Sequence, residues 1–355
     1  MSKRATDGAC LEDLVPASVR VCQQAEAECP RRGPGRKPAT PEWVLAVMIM
    51  VAVLLKKKTK SAQYAWWRQH AAEFARWLPG QPFPGRTTFF DRYRRVHRLY
   101  RQAVAVQGRE AVDRGWADPE CVAADKSLLA GRGPRWHAAD RKQSRLPRGA
   151  DPDTTWGYST YDGWVQGYSM EVLVTAPAAG VVWPLLASVD TASRSEQKSI
   201  LEKIPDLPEF TKYFLADSGY DSNAVGEAVE WQAGRRTGRR CLCPPVPRPN
   251  TNKARQPHNR ETRARQHHRR LRDDRRRFLE SRRGRALYAR RKTTVEPFHA
   301  QLKHLFELEH HVWHRGLGNN QTMILAAVAA YQLLLGYNHR NGNPRAHLQQ
   351  LVDAL

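Results

Sequence analysis

The sequence lacks a hydrophobic run long enough to cross a bilayer, and it lacks a regular cysteine framework. Its longest apolar runs, residues 43–55 and 323–335, have 13 residues each, whereas a membrane-spanning helix needs roughly 20. Six cysteines are spread over 355 residues, and no apolar leader precedes them, so we expect free thiols in a reducing compartment. These absences argue against a membrane protein and a secreted disulfide scaffold, and both apolar runs are predicted to be buried helices.

Acidic residues are scarce relative to basic ones. The chain has 58 Lys and Arg against 35 Asp and Glu, a formal net charge of +23. Residues 235–292 alone hold 22 basic and four acidic residues, so this segment carries +18 of that charge. Such an imbalance indicates a polyanionic partner, nucleic acid before an anionic membrane. The alternative is a charge that only keeps the protein soluble.

The chain is too long for one core of ordinary size, which predicts two domains or one large domain with insertions. We interpret the order of segments as follows: an N-terminal segment and Pro/Gly/Arg linker (1–39), an all-α block (40–117), an α/β domain (118–340) with an Arg-rich insertion (about 245–287), and a C-terminal tail (341–355).

The all-α block ends in the segment "TTFFDRYRRVHRLYRQAVAVQGREAV", which predicts one long helix because its apolar residues recur every three or four positions. Arginines fall largely between the apolar positions, among them Arg94, Arg95 and Arg98. A short helix followed by a turn and a basic helix is the general plan of helix-turn-helix proteins. These arginines are therefore candidate DNA contacts, with a solvated basic face as the alternative.

Two predicted strands are each followed by an aspartate. "CVAA" runs into Asp125, and "YFLA" runs into Asp217. An aspartate at a strand end is often only a turn former. The repeated pattern within a mixed sheet of an α/β domain indicates instead that both carboxylates serve one site.

A third carboxylate, Glu296, lies on a predicted helix whose apolar stripe packs against the sheet. Pro297 is normally tolerated only in the first helical turn, so Glu296 is expected near the helix N-terminus. Lys303 shares its face, because positions i and i+7 differ by only about 20 degrees on an α-helix.

Three acids at one point would repel each other unless cations lay between them. Hard divalent metals suit such a site, and two Mg²⁺ ions could clamp the oxygens of a phosphoryl displacement. Two other residues receive structural interpretations: Glu196 belongs to a capping box that begins at Ser193, and Trp164 is predicted to be a core residue rather than a platform for an unpaired base.

The motifs around these acids resemble those of DDE transposases from bacterial insertion sequences, close to the IS4/IS5 groups. The resemblance covers about residues 118–340 and rests on five stretches: "VAADKSL", "GWVQGYSMEVLVTA", "FLADSGYDS", "RRKTTVEPFHAQLKH" and "NNQTMILAAVAAYQLLLGYNH".

The resemblance implies a ribonuclease-H-like mixed β-sheet flanked by helices, an all-α N-terminal DNA-binding domain, and a catalytic triad of Asp125, Asp217 and Glu296 that binds two Mg²⁺ or Mn²⁺ ions. The expected activity is cleavage at the ends of a mobile element, followed by strand transfer to target DNA. The expected partners are double-stranded DNA, namely terminal inverted repeats and target, and a second copy of the chain in a homodimer. A prokaryotic, cytoplasmic, nucleoid-associated location is implied, with no membrane contact.

The same resemblance, together with the basic residues before Glu296, indicates DNA contacts at Tyr288, Arg290, Arg291, Lys292 and Lys303. Glu296 and Lys303 have the spacing typical of the family. Tyr288 and Arg291 lie one residue farther from the glutamate, and Lys292 takes the usual arginine position.

Other functions fit part of the pattern. One is a domesticated DNA-binding protein without catalysis. Another is a ribonuclease-H-like nuclease acting on RNA hybrids or branched DNA. An Arg-rich RNA-binding scaffold would explain the charge but not the paired acids.

Overall fold

The computed structural model describes residues 11–29, 38–246 and 263–355. Parts of the predicted N-terminal segment and of the Arg-rich insertion therefore lie outside the described residues. The first half of the described chain contains six helices: α1 (Leu11–Glu28), α2 (Glu42–Leu54), α3 (Lys60–Gln69), α4 (Ala71–Trp77), α5 (Arg86–Tyr93) and α6 (His97–Asp113).

Helix α2 is the first long apolar run, and it is buried on every side. All its residues from Trp43 to Leu54 are buried, as expected for a helix that is hydrophobic all round. The next helix, α3, begins after Thr59, whose side-chain oxygen accepts a hydrogen bond from the backbone N–H of Ala62 at 3.1 Å.

The single long helix predicted over residues 87–112 is wrong, because the chain turns between α5 and α6. The hydroxyl of Thr322 donates to the carbonyl of Tyr93 at 2.7 Å. An uninterrupted helix would offer that carbonyl to the N–H of residue 97. The turn leaves Arg94, Arg95 and Arg98 exposed around the break, and we call these three the α5–α6 arginines.

The second half is a mixed α/β structure. Its strands are β1 (Cys121–Ala130), β2 (Thr155–Ser159), β3 (Gly163–Thr175), β4 (Pro184–Thr191), β5 (Tyr213–Leu215), β6 (Trp231–Gln232), β7 (Arg235–Arg236) and β8 (Arg240–Leu242). Its helices are α7 (Ala138–Lys142), α8 (Glu196–Leu201), α9 (Asn223–Glu230), α10 (Arg263–Glu280), α11 (Arg282–Leu305), α12 (Leu317–Arg340) and α13 (Leu348–Asp353).

Six of these strands form one mixed sheet. Strand β3 pairs antiparallel with β1, β2 and β4, while β1 pairs parallel with β5, and β5 pairs parallel with β8. The predicted mixed sheet flanked by helices is confirmed, and β3 and β4 form an antiparallel hairpin within it. Strand β2 was not anticipated, because its five residues follow a Gly/Arg-rich stretch that reads as a loop.

Helix α12, the second long apolar run, connects the helical half with the sheet. It packs against α6, α2 and β4. The buried side-chain amide of Gln332 donates to the carbonyls of Val104 at 3.0 Å and Pro184 at 2.8 Å. One continuous core therefore includes residues from both halves. Within the described ranges, no helix has the length and apolar character that a bilayer crossing requires.

Candidate active site

Asp125 and Asp217 lie level with each other on two neighbouring parallel strands. The register pairs Cys121 with Tyr213 and Ala123 with Leu215, so each aspartate stands two residues beyond the last pair. Residues two apart on a strand point to the same face. Both carboxylates therefore lie on one side of the sheet, where β5 ends and leaves a gap beside β1.

The prediction that Asp125 ends its strand is wrong. Strand β1 continues to Ala130, because β3 offers a long antiparallel partner and pairs Val172 with Asp125. Asp217 does follow its strand closely, with Ala216 between them. Its carboxylate accepts the N–H of Gly219 at 2.9 Å and caps a short 3₁₀ turn.

Glu296 lies far inside its helix, so its predicted place near the N-terminus is also wrong. Helix α11 begins at Arg282, where the Ser281 hydroxyl accepts the N–H of Gly284 at 3.0 Å. Pro297 is therefore an interior proline, which frees the carbonyl of Thr293 four residues earlier. Thr293 is exposed, where water can satisfy that carbonyl, and this explains how the helix continues through the proline.

The three acids converge on one guanidinium group, that of Arg291. One of its terminal nitrogens (Nη2) lies 2.6 Å from Asp125 Oδ1 and 3.8 Å from Asp217 Oδ2. The other, Nη1, lies 3.9 Å from Glu296 Oε1. Asp125, Asp217 and Glu296, which are far apart in sequence, thus surround a single positive charge, and we call them with Arg291 the acidic cluster.

Burial sets the electrostatics of the acidic cluster. It raises the pKa of Asp125 to about 6, against the lowering effect of Arg291 and with the help of Asp217. Burial also lowers the pKa of Arg291, but Asp125 and Asp217 outweigh it and raise the pKa overall. The Asp125–Arg291 pair is thus the buried centre of the cluster, since the side chains of Asp217 and Glu296 are each 40% exposed.

The donor chemistry of the cluster fits divalent metal ions. Carboxylate oxygens are the ligands that Mg²⁺ and Mn²⁺ take in proteins, and the guanidinium shows that these three carboxylates already gather around positive charge. As the side chains lie, no group of three or more His, Cys, Asp or Glu in the described residues forms a ligand cluster. An ion held by all three carboxylates would take the place that the Arg291 guanidinium occupies.

The predicted DNA-contact residues of α11 lie in different surroundings. Lys292 is exposed. Burial raises the pKa of Tyr288, which is half-buried. Burial lowers the pKa of Lys303, against the raising effect of Asp162. Burial raises the pKa of the Cys121 thiol, and Arg290, which lies near that thiol, opposes part of the rise. Arg291 is the cation that points at the acids; its shifted spacing from Glu296 left this role open. DNA contact by Tyr288, Arg290, Arg291, Lys292 and Lys303 stays a prediction.

Sequence reasoning missed His299 as a site residue. Its side chain is buried, and its Nε2 atom lies 3.9 Å from Asp125 Oδ2. Burial lowers the pKa of His299 to about 3, with further lowering by Lys303 and Arg291. The available signal was its spacing: His299 follows Glu296 by three residues, which places both on one face of α11.

The opposite face of β1 carries a second ionic group that the sequence did not reveal. The predicted capping box is wrong, because α8 begins at Glu196 after Ser195, which makes no side-chain cap. The Glu196 carboxylate instead pairs with Lys126 at 3.3 Å. It also lies against Gly219, where an added Cβ would stand 1.9 Å from its Oε2. Lys126 thus compensates the charge of Glu196, whose carboxylate lies against the turn that Asp217 caps.

A buried ion pair, Lys203 with Glu171, lies next to this group. Lys203 donates to the carboxylate of Glu171, whose other oxygen accepts the hydroxyl of Tyr220 at 2.9 Å. Glu171 is the cross-strand partner of Lys126. Tyr220 belongs to the 3₁₀ turn that Asp217 caps. This pair therefore connects β3, the neighbour of β1, with the turn that follows β5.

One exposed surface lies beyond the end of β1. The β2–β3 hairpin exposes Tyr158, Tyr161 and Trp164, which are 61%, 87% and 64% accessible. The predicted core position of Trp164 is wrong, because this end of the β2–β3 hairpin extends past the last residue of β1, which pairs with Gly167. Trp164 instead meets Tyr158 edge to face, with ring centroids 5.5 Å apart.

One comparison with known proteins identifies a family. The model of a protein family described as "Transposase DDE domain" matches residues 116–333, which is more than half of the 355-residue chain. The matched range contains Asp125, Asp217 and Glu296. Neither the curated proteins nor the solved structures contain a significant match to the chain.

Proposed function

Because the chain belongs to the transposase DDE domain family, we propose that it cuts DNA at the ends of a mobile element and transfers the freed strands to target DNA. The observation that carries this proposal is the convergence of Asp125, Asp217 and Glu296 around one cation. A relationship to the IS4/IS5 groups and a ribonuclease-H-like fold belong to the same proposal.

In this proposal Asp125, Asp217 and Glu296 hold two divalent ions, Mg²⁺ or Mn²⁺, in keeping with the general use of such ions in the family. When bound, the ions supply Lewis-acid stabilisation of the attacking and leaving oxygens. Arg291 offsets part of the negative charge of the acids in the metal-free protein. After it gives up its place, it remains near the site as a donor for a DNA phosphate.

The DNA substrate is proposed from charge and exposure. The α5–α6 arginines and Lys292 are exposed, and Lys303 lies two turns beyond Glu296 on α11. Such side chains contact phosphates without reading sequence. We assign the helical half to recognition of terminal inverted repeats. A homodimer is expected in the DNA complex, because two ends must be processed together.

The test uses the full chain and DNA that carries the inverted repeats flanking its gene, with Mg²⁺ or Mn²⁺. Cleavage and joined products are resolved on denaturing gels. Asp217→Asn and Glu296→Gln are expected to bind this DNA with near wild-type affinity and to give no cleavage above background. Asp190→Asn is the matched control, because Asp190 is an aspartate of the same sheet that pairs with Arg194 at 3.6 Å, outside the acidic cluster.

Other outcomes would point to other functions. Cleavage of RNA hybrids or branched DNA without strand joining would favour a ribonuclease-H-like nuclease. Tight DNA binding by the wild-type chain, with no cleavage in either metal, would favour the domesticated binding protein. Full activity of Asp217→Asn would contradict the catalytic role of the acidic cluster.

A further inference from the structure

His299 is buried beside the acidic cluster without a hydrogen-bond partner. It is 6% exposed, and neither ring nitrogen has a partner with hydrogen-bond geometry within the described chain. Leaving a buried polar group unsatisfied costs free energy. The position of this imidazole therefore needs an explanation beyond packing.

The ring faces the place where the acids meet. Its Nε2 atom is 3.9 Å from Asp125 Oδ2, which is too long for a hydrogen bond between them. The backbone of Asp125 also lies near the ring. His299 follows Glu296 by three positions on α11, so the helix presents both side chains to the same region.

Another deeply buried histidine of the chain behaves differently. His314 is 7% exposed, but its Nε2 atom lies 3.1 Å from the hydroxyl of Tyr93 and forms a hydrogen bond with it. A histidine of this protein can therefore pack in the core and still have a hydrogen-bond partner. His299 differs because its unsatisfied nitrogen points at a carboxylate of the acidic cluster.

We propose that Nε2 of His299 is a nitrogen ligand, beside the Asp125 carboxylate, of one divalent ion in the acidic cluster. This inference rests on the proposed function, in which Asp125 binds metal. The consequence is selectivity: the site favours Mn²⁺ and Co²⁺ over Mg²⁺ more than three carboxylates alone would.

The chemistry of the ligands explains this selectivity. Mg²⁺ prefers oxygen ligands and keeps several of its waters. Imidazole nitrogen suits transition metals, whose affinity rises along the first row from Mn²⁺ through Co²⁺. A ring nitrogen that replaces one water or carboxylate oxygen therefore adds more affinity for Mn²⁺ or Co²⁺ than for Mg²⁺.

The test is pulsed electron paramagnetic resonance on the full chain with Mn²⁺ alone. Direct coordination by His299 gives a nitrogen modulation of the Mn²⁺ echo, and growth with ¹⁵N-labelled histidine changes its frequency. In His299→Gln the modulation is expected to disappear while Mn²⁺ still binds. Its Mn²⁺ affinity should fall by at least the roughly 10- to 100-fold that loss of an outer-shell partner causes, and its Mg²⁺ affinity should change less.

Two further variants are measured beside His299→Gln. His304→Gln is the matched control on the same helix, because His304 is exposed and pairs with Glu309 at 3.1 Å. It should keep the wild-type echo. Asp125→Asn should lose Mn²⁺ binding, which tests the proposed metal site separately. Thermal unfolding of each variant in EDTA shows whether it is folded.

The outcomes separate the two proposals. Mn²⁺ bound through Asp125 without a histidine modulation would overturn the role of His299 and leave the proposed function intact. An equal loss of Mn²⁺ and Mg²⁺ affinity in folded His299→Gln would also overturn it. Mn²⁺ binding that Asp125→Asn does not weaken would overturn the metal site itself.

Discussion

Replacing Arg291 by methionine removes the positive charge that three carboxylates share while keeping a long side chain. The Asp125 and Arg291 side chains are only 16% and 11% exposed, and their atoms meet at 2.6 Å. Removing one partner of a buried ion pair costs about 3–5 kcal/mol. We therefore expect Arg291→Met to destabilise the metal-free protein at pH 7.

The size of the loss follows from the three pairs. Asp217 and Glu296 are each 40% exposed. Solvent therefore screens their pairs with Arg291, and each pair contributes about 0–1 kcal/mol to the free energy of unfolding. Asp125 limits its own penalty, because its carboxyl can take up a proton once the guanidinium is gone. Together these terms predict a loss of about 3 kcal/mol at pH 7, near the lower end for a buried pair.

Metal should narrow the stability difference between the two proteins. Wild type must displace Arg291 before the acids can hold an ion, whereas Arg291→Met has no competing cation. If Mn²⁺ binds the variant tenfold more tightly in the absence of DNA, saturating Mn²⁺ stabilises it by about 1.4 kcal/mol more than wild type.

The assay is denaturant unfolding, followed by circular dichroism, in EDTA and again in saturating Mn²⁺. Lys292→Met is the control, because it removes the same charge from the next residue, which is exposed. The reasoning is refuted if Arg291→Met loses no more stability than Lys292→Met in EDTA. It is also refuted if Mn²⁺ stabilises the variant less than wild type.

Three further predictions concern pH, DNA and the buried pair. Because burial raises the pKa of Asp125 from 3.8 to about 6, its contribution to the stability of the metal-free protein is complete below pH 3.8 and is lost as pH rises through 6. The unfolding free energy of Asp125→Asn minus that of wild type should thus rise by about 2 kcal/mol between pH 4 and 7, and a pH-independent difference would contradict this. Changing the three α5–α6 arginines to glutamine should reduce the steepness of the plot of log K for DNA binding against log salt concentration. The slope should change by up to about 2.7, at about 0.9 per phosphate contact. An unchanged slope in filter-binding titrations would exclude these arginines from the interface. Lys203→Met should cost about 3–5 kcal/mol in urea unfolding, because it leaves Glu171 buried and uncompensated, whereas Lys203→Met with Glu171→Leu should recover most of that loss; equal stability of the single and double variants would argue against a buried charge pair.

Much of the fold was predictable because its signals are local. The buried helices α2 and α12 followed from apolar runs. The errors arose where a distant contact overrode a local pattern. Thr322 captures the carbonyl of Tyr93 and breaks the predicted helix. Strand β3 extends β1 past Asp125.

The sequence singled out the three acids of the cluster but not how they are arranged. Asp125, Asp217 and Glu296 were identified from their positions beside strands and on a helix. Their grouping around Arg291 was not, because nothing in the spacing shows which of the neighbouring basic residues turns inward. His299 escaped notice because a histidine on a helix with an apolar stripe resembles an ordinary core residue.

The amino-acid sequence by itself determined most of the elements, the basic character and the three acids of the cluster, because periodicity and charge depend on neighbours along the chain. The tertiary structure alone decided that Arg291 lies among the three acids and that His299 faces Asp125. Those contacts join residues far apart in sequence through the parallel register of β1 with β5 and the packing of α11 on β1. Burial at that junction, which no local pattern encodes, also sets the raised pKa of Asp125.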